Sequence, residues 1–416
     1  RIGNNRHGER CFFNENWPNR TRHWLPTVDH PYDKATNEFI ITAPSHYQVI
    51  SNGLLKEESI INASQKLTHW KQSVPISSWL YVLGVAKFAV QHVDEFLGME
   101  IQTWVYPQDR ERGFYDFASP TKEVLGFYSN YVGPFAYEKL ANIQSPSVGG
   151  GMETASAIFY GENLINGKQD VRLRNVVIHE IAHQWFGNAV TETTWDDAWL
   201  SEGFATYFTM LFQEYAYGES TYIDELKKAR ARVFNFYSKD STYKIVDGRT
   251  AEEGAVTNDM TYQKGAWVLH LLREKMGHEA FREGIRSYYQ AYYNKNATTD
   301  DFFEIMQKFS KTPLNTFRNQ WLHRPEVLNV QVAWSYDSTT SQVEVKIDQK
   351  QSTGFTFEFP IEIELVDAIS KKIVSFECSG KSSTFKIKVD KNPLADRKST
   401  RLNSSHVSES RMPSSA

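Results

Sequence analysis

Along residues 1–97, apolar and polar positions alternate in short runs such as Glu38-Phe-Ile-Ile-Thr-Ala43 and Trp79-Leu-Tyr-Val-Leu-Gly84, broken by turn residues. A period of two sends successive side chains to opposite faces of a strand, so this stretch predicts a β domain. From residue 98 to 326 a short β segment gives way to helical spacing, and one helix is expected to start with Ser119 as its cap and Pro120 in its first turn. Alternation returns in Asn329-Val-Gln-Val-Ala-Trp334, Gln342-Val-Glu-Val-Lys-Ile347 and Thr384-Phe-Lys-Ile-Lys-Val389, which predicts a small β-sandwich over 327–395. The fold class expected is multidomain α+β. Residues 396–416 break from this pattern, being rich in Ser and Arg and nearly free of apolar residues. They resemble translated adapter sequence, or else a disordered tail.

Composition narrows the function classes. With 40% hydrophobic and 14% aromatic residues, the 416-residue chain can bury two or three cores. A formal charge of −4 with scattered Lys and Arg gives no basic patch for nucleic acid. No apolar run approaches the roughly 20 residues of a membrane span. Cys11 and Cys378 are too few for a disulfide framework, and a bond between positions so distant is not expected.

The helical region carries His179-Glu180-Ile181-Ala182-His183. Residues four apart lie one above the other on a helix, so His179 and His183 can bind a single ion. Glu180 projects about 100° round the helix from His179, where it can miss a metal yet reach a water beside it, as a general base must. Val176, Val177, Ile181 and Ala182 supply apolar surface, and Gly187-Asn188 is the expected stop. A third ligand must come from a second element. Glu202, 19 positions after His183, sits in a run from Trp195 that predicts a second buried helix. Two histidines, one carboxylate and an open position make a catalytic zinc site, whereas a structural one is closed by four protein ligands. One Zn²⁺ per chain is therefore the expected cofactor.

Two further motifs flank these. Gly149-Gly-Gly-Met-Glu153-Thr154 lies upstream between strand-like runs, and Thr261-Tyr262-Gln-Lys-Gly265 opens an apolar helical run downstream. In that order, Gly-Gly-Met-Glu, His-Glu-x-x-His with its distant Glu, and Tyr-x-Lys-Gly resemble the gluzincin zinc aminopeptidase family, which includes membrane alanyl aminopeptidase and leukotriene hydrolase. Arg22-His-Trp-Leu-Pro-Thr-Val-Asp29-His-Pro31 and Ser51-Asn-Gly53 are similar to that family's N-terminal β domain, and the likeness continues through Trp321-Leu322.

The resemblance implies a thermolysin-like, mostly α catalytic domain over 98–326 between a partial N-terminal β domain (1–97) and the β-sandwich. The first domain is read as partial because the chain opens on Arg1, without the earlier strands usual in the family. It also implies that His179, His183 and Glu202 bind zinc, that Glu180 is the general base, and that Tyr262 steadies the tetrahedral oxyanion. Glu153 would hold the free α-amino group of a peptide substrate, with Gly150, Gly151 and Met152 lining an edge for its backbone. For the glycines themselves a tight turn is an equal reading.

Thr154 departs from the family's usual asparagine, which bears on substrate anchoring and leaves the metal site untouched. The N-terminal Gln or Glu that assists amine binding in the family has no clear match, with Glu15 and Asn16 both open. The expected activity is removal of N-terminal residues from short peptides by a zinc-held water. The alternatives are an endopeptidase, which Glu153 opposes, and an inactive relative that only binds peptides or proteins.

Overall fold

The computed structural model describes residues 2–248, 256–351, 354–366 and 371–389. The tail at 396–416 lies outside them.

The N-terminal region is built from two antiparallel sheets. One has the strand order Ile2–Asn4, Arg10–Phe13, Leu83–Ala86, Gln48–Ser51, and the other Lys34–Pro44, Gln65–Ser77, Leu54–Asn62. Alternation is clearest in Gln65–Ser77, where Lys66, Thr68, Trp70 and Gln72 point inward and their neighbours do not. The run Trp79–Gly84 behaves differently. Ser78–Leu80 forms a 3₁₀ turn and only Leu83–Ala86 is a strand, because this segment is buried almost throughout and has no solvent face to alternate against.

The site is carried by a five-stranded sheet in the order Gly151–Met152, Ala157–Gly161, Lys139–Ser145, Met99–Val105, Ala89–Phe96. The three inner strands run parallel, and Gly151–Met152 closes one edge antiparallel to Ala157–Gly161. Ala89–Phe96 pairs antiparallel with Met99–Val105, so this hairpin bridges the two regions of the sequence.

Helices follow. Thr121–Tyr131 does not begin on Ser119: Pro120 holds the flanking position, with no side-chain acceptor for the first N–H groups. Val171–His183 is capped by Asp170, whose carboxylate accepts from the Leu173 N–H at 2.9 Å. It buries Val177, Ile178, Ile181 and Ala182 on one face. It ends at His183, ahead of the Gly187-Asn188 stop, and Gly187 then supplies a left-handed turn at φ +108°. Trp199–Tyr217 is apolar on all sides and buried from Trp199 to Gln213, the mark of a helix at the centre of a domain. Around it pack Glu219–Tyr237, Gly265–Met276 and His278–Tyr292.

Beyond helix Asn315–Leu322, Val330–Asp337, Gln342–Gln349 and Ser382–Lys388 form one sheet, and Phe359–Val366 with Lys371–Cys378 a second. Val343, Val345 and Ile347 point inward from the first and Phe359, Ile361 and Ile363 are buried on the second, the arrangement of a small sandwich. One apolar core runs through all three regions, with Phe13 against Phe159 and Trp321 against Phe357. Cys11 and Cys378 are buried and form no disulfide with each other. Among the described residues no helix is long and apolar enough to cross a membrane.

Candidate metal centre

Helices Val171–His183 and Trp199–Tyr217 bring His179, His183 and Glu202 to one point. The two imidazole Nε2 atoms are 3.0 Å apart, and Glu202 Oε2 lies 3.3 Å from the first and 3.1 Å from the second. A tetrahedral zinc ion with bonds of about 2.0–2.1 Å keeps its ligand atoms about 3.3 Å apart. The triangle has the size of one face of that tetrahedron. His183 Nδ1 sits 3.1 Å from the Phe186 carbonyl, which can only accept, so the proton belongs on Nδ1 and Nε2 presents its lone pair to the triangle. Ser201 Oγ also lies 3.1 Å from that nitrogen.

The electrostatics agree with a cation site. Burial disfavours charge on His183, yet the Glu153 and Glu202 carboxylates raise it to about 10. Glu202 is held well below the usual carboxylate range by the two histidines despite its burial. Burial pushes Glu153 up to about 7, and burial together with the Glu153 carboxylate pushes Glu180 well above its ordinary value. Among the described residues Glu153 Oε1 and Glu180 Oε2 are buried acceptors with no hydrogen-bond donor, and Glu202 Oε2 has the two imidazole nitrogens beside it. Unpaired buried oxygens of like charge are costly unless a cation or a donor joins them, and a dication would draw these carboxyls back toward ionisation. The donor set therefore fits zinc.

Glu153, Glu180 and His183 bring one ligand atom each to within 4.8 Å of one another, so the predicted base and the predicted amine anchor lie together beside a ligand of the candidate ion site. Gly151 is what lets Glu180 in: a Cβ there would lie 2.2 Å from Glu180 Oε1. Gly149 and Gly150 have open space where a side chain would be, and Met152 is buried. Gly151–Met152, an edge strand, has one side unpaired. The Thr154 hydroxyl donates to the Ala157 carbonyl, so it is spent within its own turn.

Tyr262 lies in a single π-helical turn, Met260–Lys264, which continues into helix Gly265–Met276. Its hydroxyl donates to Glu202 Oε1 at 2.6 Å, and its ring lies near-parallel to His179 at 6.1 Å. Burial, with Glu202 alongside, keeps the phenol neutral far above the ordinary tyrosine range. Gly203 and Gly265 allow this closeness, since a Cβ on either would come within 2.9 Å of the other's Cα.

Two contributors escaped the sequence reading as site residues. Gln184 and Asn188 donate to the Glu153 carbonyl at 2.9 and 2.6 Å, fixing that turn to the end of the histidine helix. Only their nearness to the motifs could have flagged them. Lys264, the lysine of the Tyr-x-Lys-Gly motif, is fully enclosed and reaches Tyr237 Oη, anchoring the Tyr262 turn from behind. Asn16 is buried and spent on the Tyr81 carbonyl and Trp24 indole, and the Glu15 carboxylate is paired with Arg20 and accepts from the Trp17 N–H at 2.7 Å.

Comparison with known proteins matches residues 117–321 to the peptidase family M1 domain and residues 5–80 to the peptidase M1 N-terminal domain. Glutamyl aminopeptidase of Bitis rhinoceros is 29% identical over 392 residues, covering 87% of this chain and 39% of that protein. Glutamyl aminopeptidase of Sus scrofa is 31% identical over 328 residues, 76% of this chain and 35% of that one. A protein of Sulfurisphaera tokodaii named probable aminopeptidase 2 is 27% identical over 401 residues, 92% and 49% respectively. The chain thus spans less than half the length of these relatives.

Proposed function

The chain belongs to peptidase family M1, and from that premise we propose that it is a zinc-dependent aminopeptidase that releases N-terminal residues from short peptides. The observation that carries the reading is the triangle of His179 Nε2, His183 Nε2 and Glu202 Oε2 with two further unpaired carboxylates, Glu180 and Glu153, beside it. His179, His183 and Glu202 would hold the ion. Zinc, when bound, supplies Lewis acidity that polarises a scissile carbonyl and makes water acidic enough to ionise near neutral pH.

The chain's own groups do the rest. Glu180 takes a proton from the attacking water and passes it to the leaving amine. Tyr262, a neutral donor, turns its O–H from Glu202 Oε1 to the charge developing on the carbonyl oxygen. Glu153 receives the substrate ammonium. A peptide whose amine is held there has only one residue ahead of the scissile bond, which selects an exopeptidase. The substrate backbone lies in extended form along the Gly149–Met152 edge.

The test is a panel of aminoacyl-arylamides offered to the full-length protein, before and after chelation and zinc restoration. Glutamyl derivatives belong in the panel because two of the relatives carry that name. Chelator-sensitive release is expected. Equal cleavage of N-acetylated peptides would overturn the exopeptidase reading.

A further inference from the structure

The Glu153–Ser156 turn is held by parts of the molecule far away in sequence, and one of them has no role so far. The Glu153 carbonyl accepts from Gln184 and Asn188. The Ser156 N–H donates to Gln184 Oε1 at 3.0 Å, and the Ser156 carbonyl accepts from the Ala141 N–H at 3.0 Å. Beside longer contacts of Ser156 Oγ, 3.5 Å each, to Gln72 Oε1 and Lys139 Nζ, two shorter ones come from the N-terminal region. Asn52 Nδ2 donates to the Ala155 carbonyl at 2.6 Å, and the Gly53 N–H donates to Ser156 Oγ at 2.9 Å.

Both donors are themselves fixed. Asn52 is fully buried, accepts from the Val82 N–H at 2.7 Å and donates also to the Leu80 carbonyl at 3.0 Å. Gly53 has φ +70°, and a Cβ there would stand 2.0 Å from the Lys71 carbonyl oxygen, so only glycine fits. On the receiving side Ser156 is a non-glycine residue at φ +62°, a conformation that costs energy unless its surroundings hold it.

We propose that Asn52 and Gly53 are positioning residues for amine recognition: the N-terminal region clamps the strained turn and so aims the Glu153 carboxylate at the substrate's ammonium group. This rests on the assignment of Glu153 as the amine anchor.

Kinetics of the full-length, zinc-loaded protein on a free-amine aminoacyl-arylamide test it. Asn52→Ala should raise KM about tenfold or more, with kcat within about threefold and zinc content unchanged. In a Glu153→Gln background the same substitution should leave KM where it was. A purely structural asparagine would cost the same factor in both backgrounds, and that result overturns the proposal. Asn52→Ala also unpairs groups inside the first domain, so Ser156→Ala serves as the second variant, removing the acceptor for Gly53 from the catalytic side. It should raise KM in the same direction, about threefold, and again only while Glu153 is present. Unchanged KM in both variants overturns the clamp. Glu153→Gln alone, if harmless to free-amine substrates, would instead remove the amine-anchor assignment, a distinct failure visible without touching Asn52 or Ser156.

Discussion

Two buried polar clusters each draw residues from helix Trp199–Tyr217, and both hold strongly shifted groups. In the first, among the helices, Tyr207 Oη meets Tyr222 Oη at 3.2 Å and Tyr222 Oη meets His270 Nδ1 at 2.9 Å. Arg273 reaches Glu214 at 2.9 Å and His278 at 3.2 Å. Burial, with Arg273 nearby, drives His270 down to about 3. In the second, around His179 and His183, shifts are as large, yet among the described residues buried oxygens of Glu153 and Glu180, close to one another, lack donors. Shifted acidity is common to both, so it does not distinguish them. Convergence does: the first cluster pairs its hydroxyls, His270 and Glu214 internally and leaves only the Arg273 Nε donor over, while the second presents acceptors of one sign that a cation or an incoming donor can pair.

The difference predicts opposite responses to substitution. Glu180→Gln should cut kcat by at least about a thousandfold while zinc stays near one per chain, because the change removes a proton acceptor and no ligand. Zinc analysis beside steady-state kinetics decides it, and retained turnover would show that convergence at Glu180 carries no chemistry. Tyr262→Phe comes next, with kcat falling on the order of a hundredfold, KM little changed and zinc retained. Since the Tyr262 phenol stays neutral far above its usual range, the alkaline side of the activity profile up to pH 10 should have the same shape in both proteins.

In the satisfied cluster the sign reverses. Tyr222→Phe should cost about 1–2 kcal/mol in urea unfolding and leave kcat within about twofold, since a buried hydrogen bond is lost and no reacting atom is touched. A large fall in kcat with unchanged stability would blur the distinction between the two clusters.

How much of this could be read beforehand follows the range of the interactions. Helix geometry alone brings His179 and His183 together, and motif order identified Glu202, Glu153 and Tyr262, because each lies in a local signature. The three-part architecture was legible from the change of period. The start of helix Thr121–Tyr131 was not, since Ser119 has the chemistry of a cap while the chain before Thr121 takes another course. Trp79–Gly84 misled for a related reason: alternation reports a half-exposed strand, and this segment is enclosed on both sides. Gln184, Asn188 and Asn52 were unreadable as site residues because their targets lie 28 to 103 positions away. Their roles exist only once the strands and helices are in place.

Glu192 offers the finest test, since it separates being unpaired from being convergent. Both its carboxylate oxygens are buried without a donor, as in the site. Yet among the described residues it belongs to no group of three metal-ligating side chains. Burial pushes it up to about 8, with Glu153 and Glu202 adding repulsion, His183 opposing, and the buried Lys34 ammonium acting on it as well. A carboxyl raised in the folded state binds more protons there than in the unfolded chain, so its contribution is whole below pH 4 to 5 and is lost as pH climbs through about 8. Glu192→Gln keeps the shape and removes the titration. The variant should therefore nearly match the parent in urea at pH 5 and exceed it at pH 8.5 by on the order of a few kcal/mol, with zinc content and kcat little altered. A loss of zinc would instead make Glu192 part of the cation site, and absence of convergence would no longer exclude a ligand.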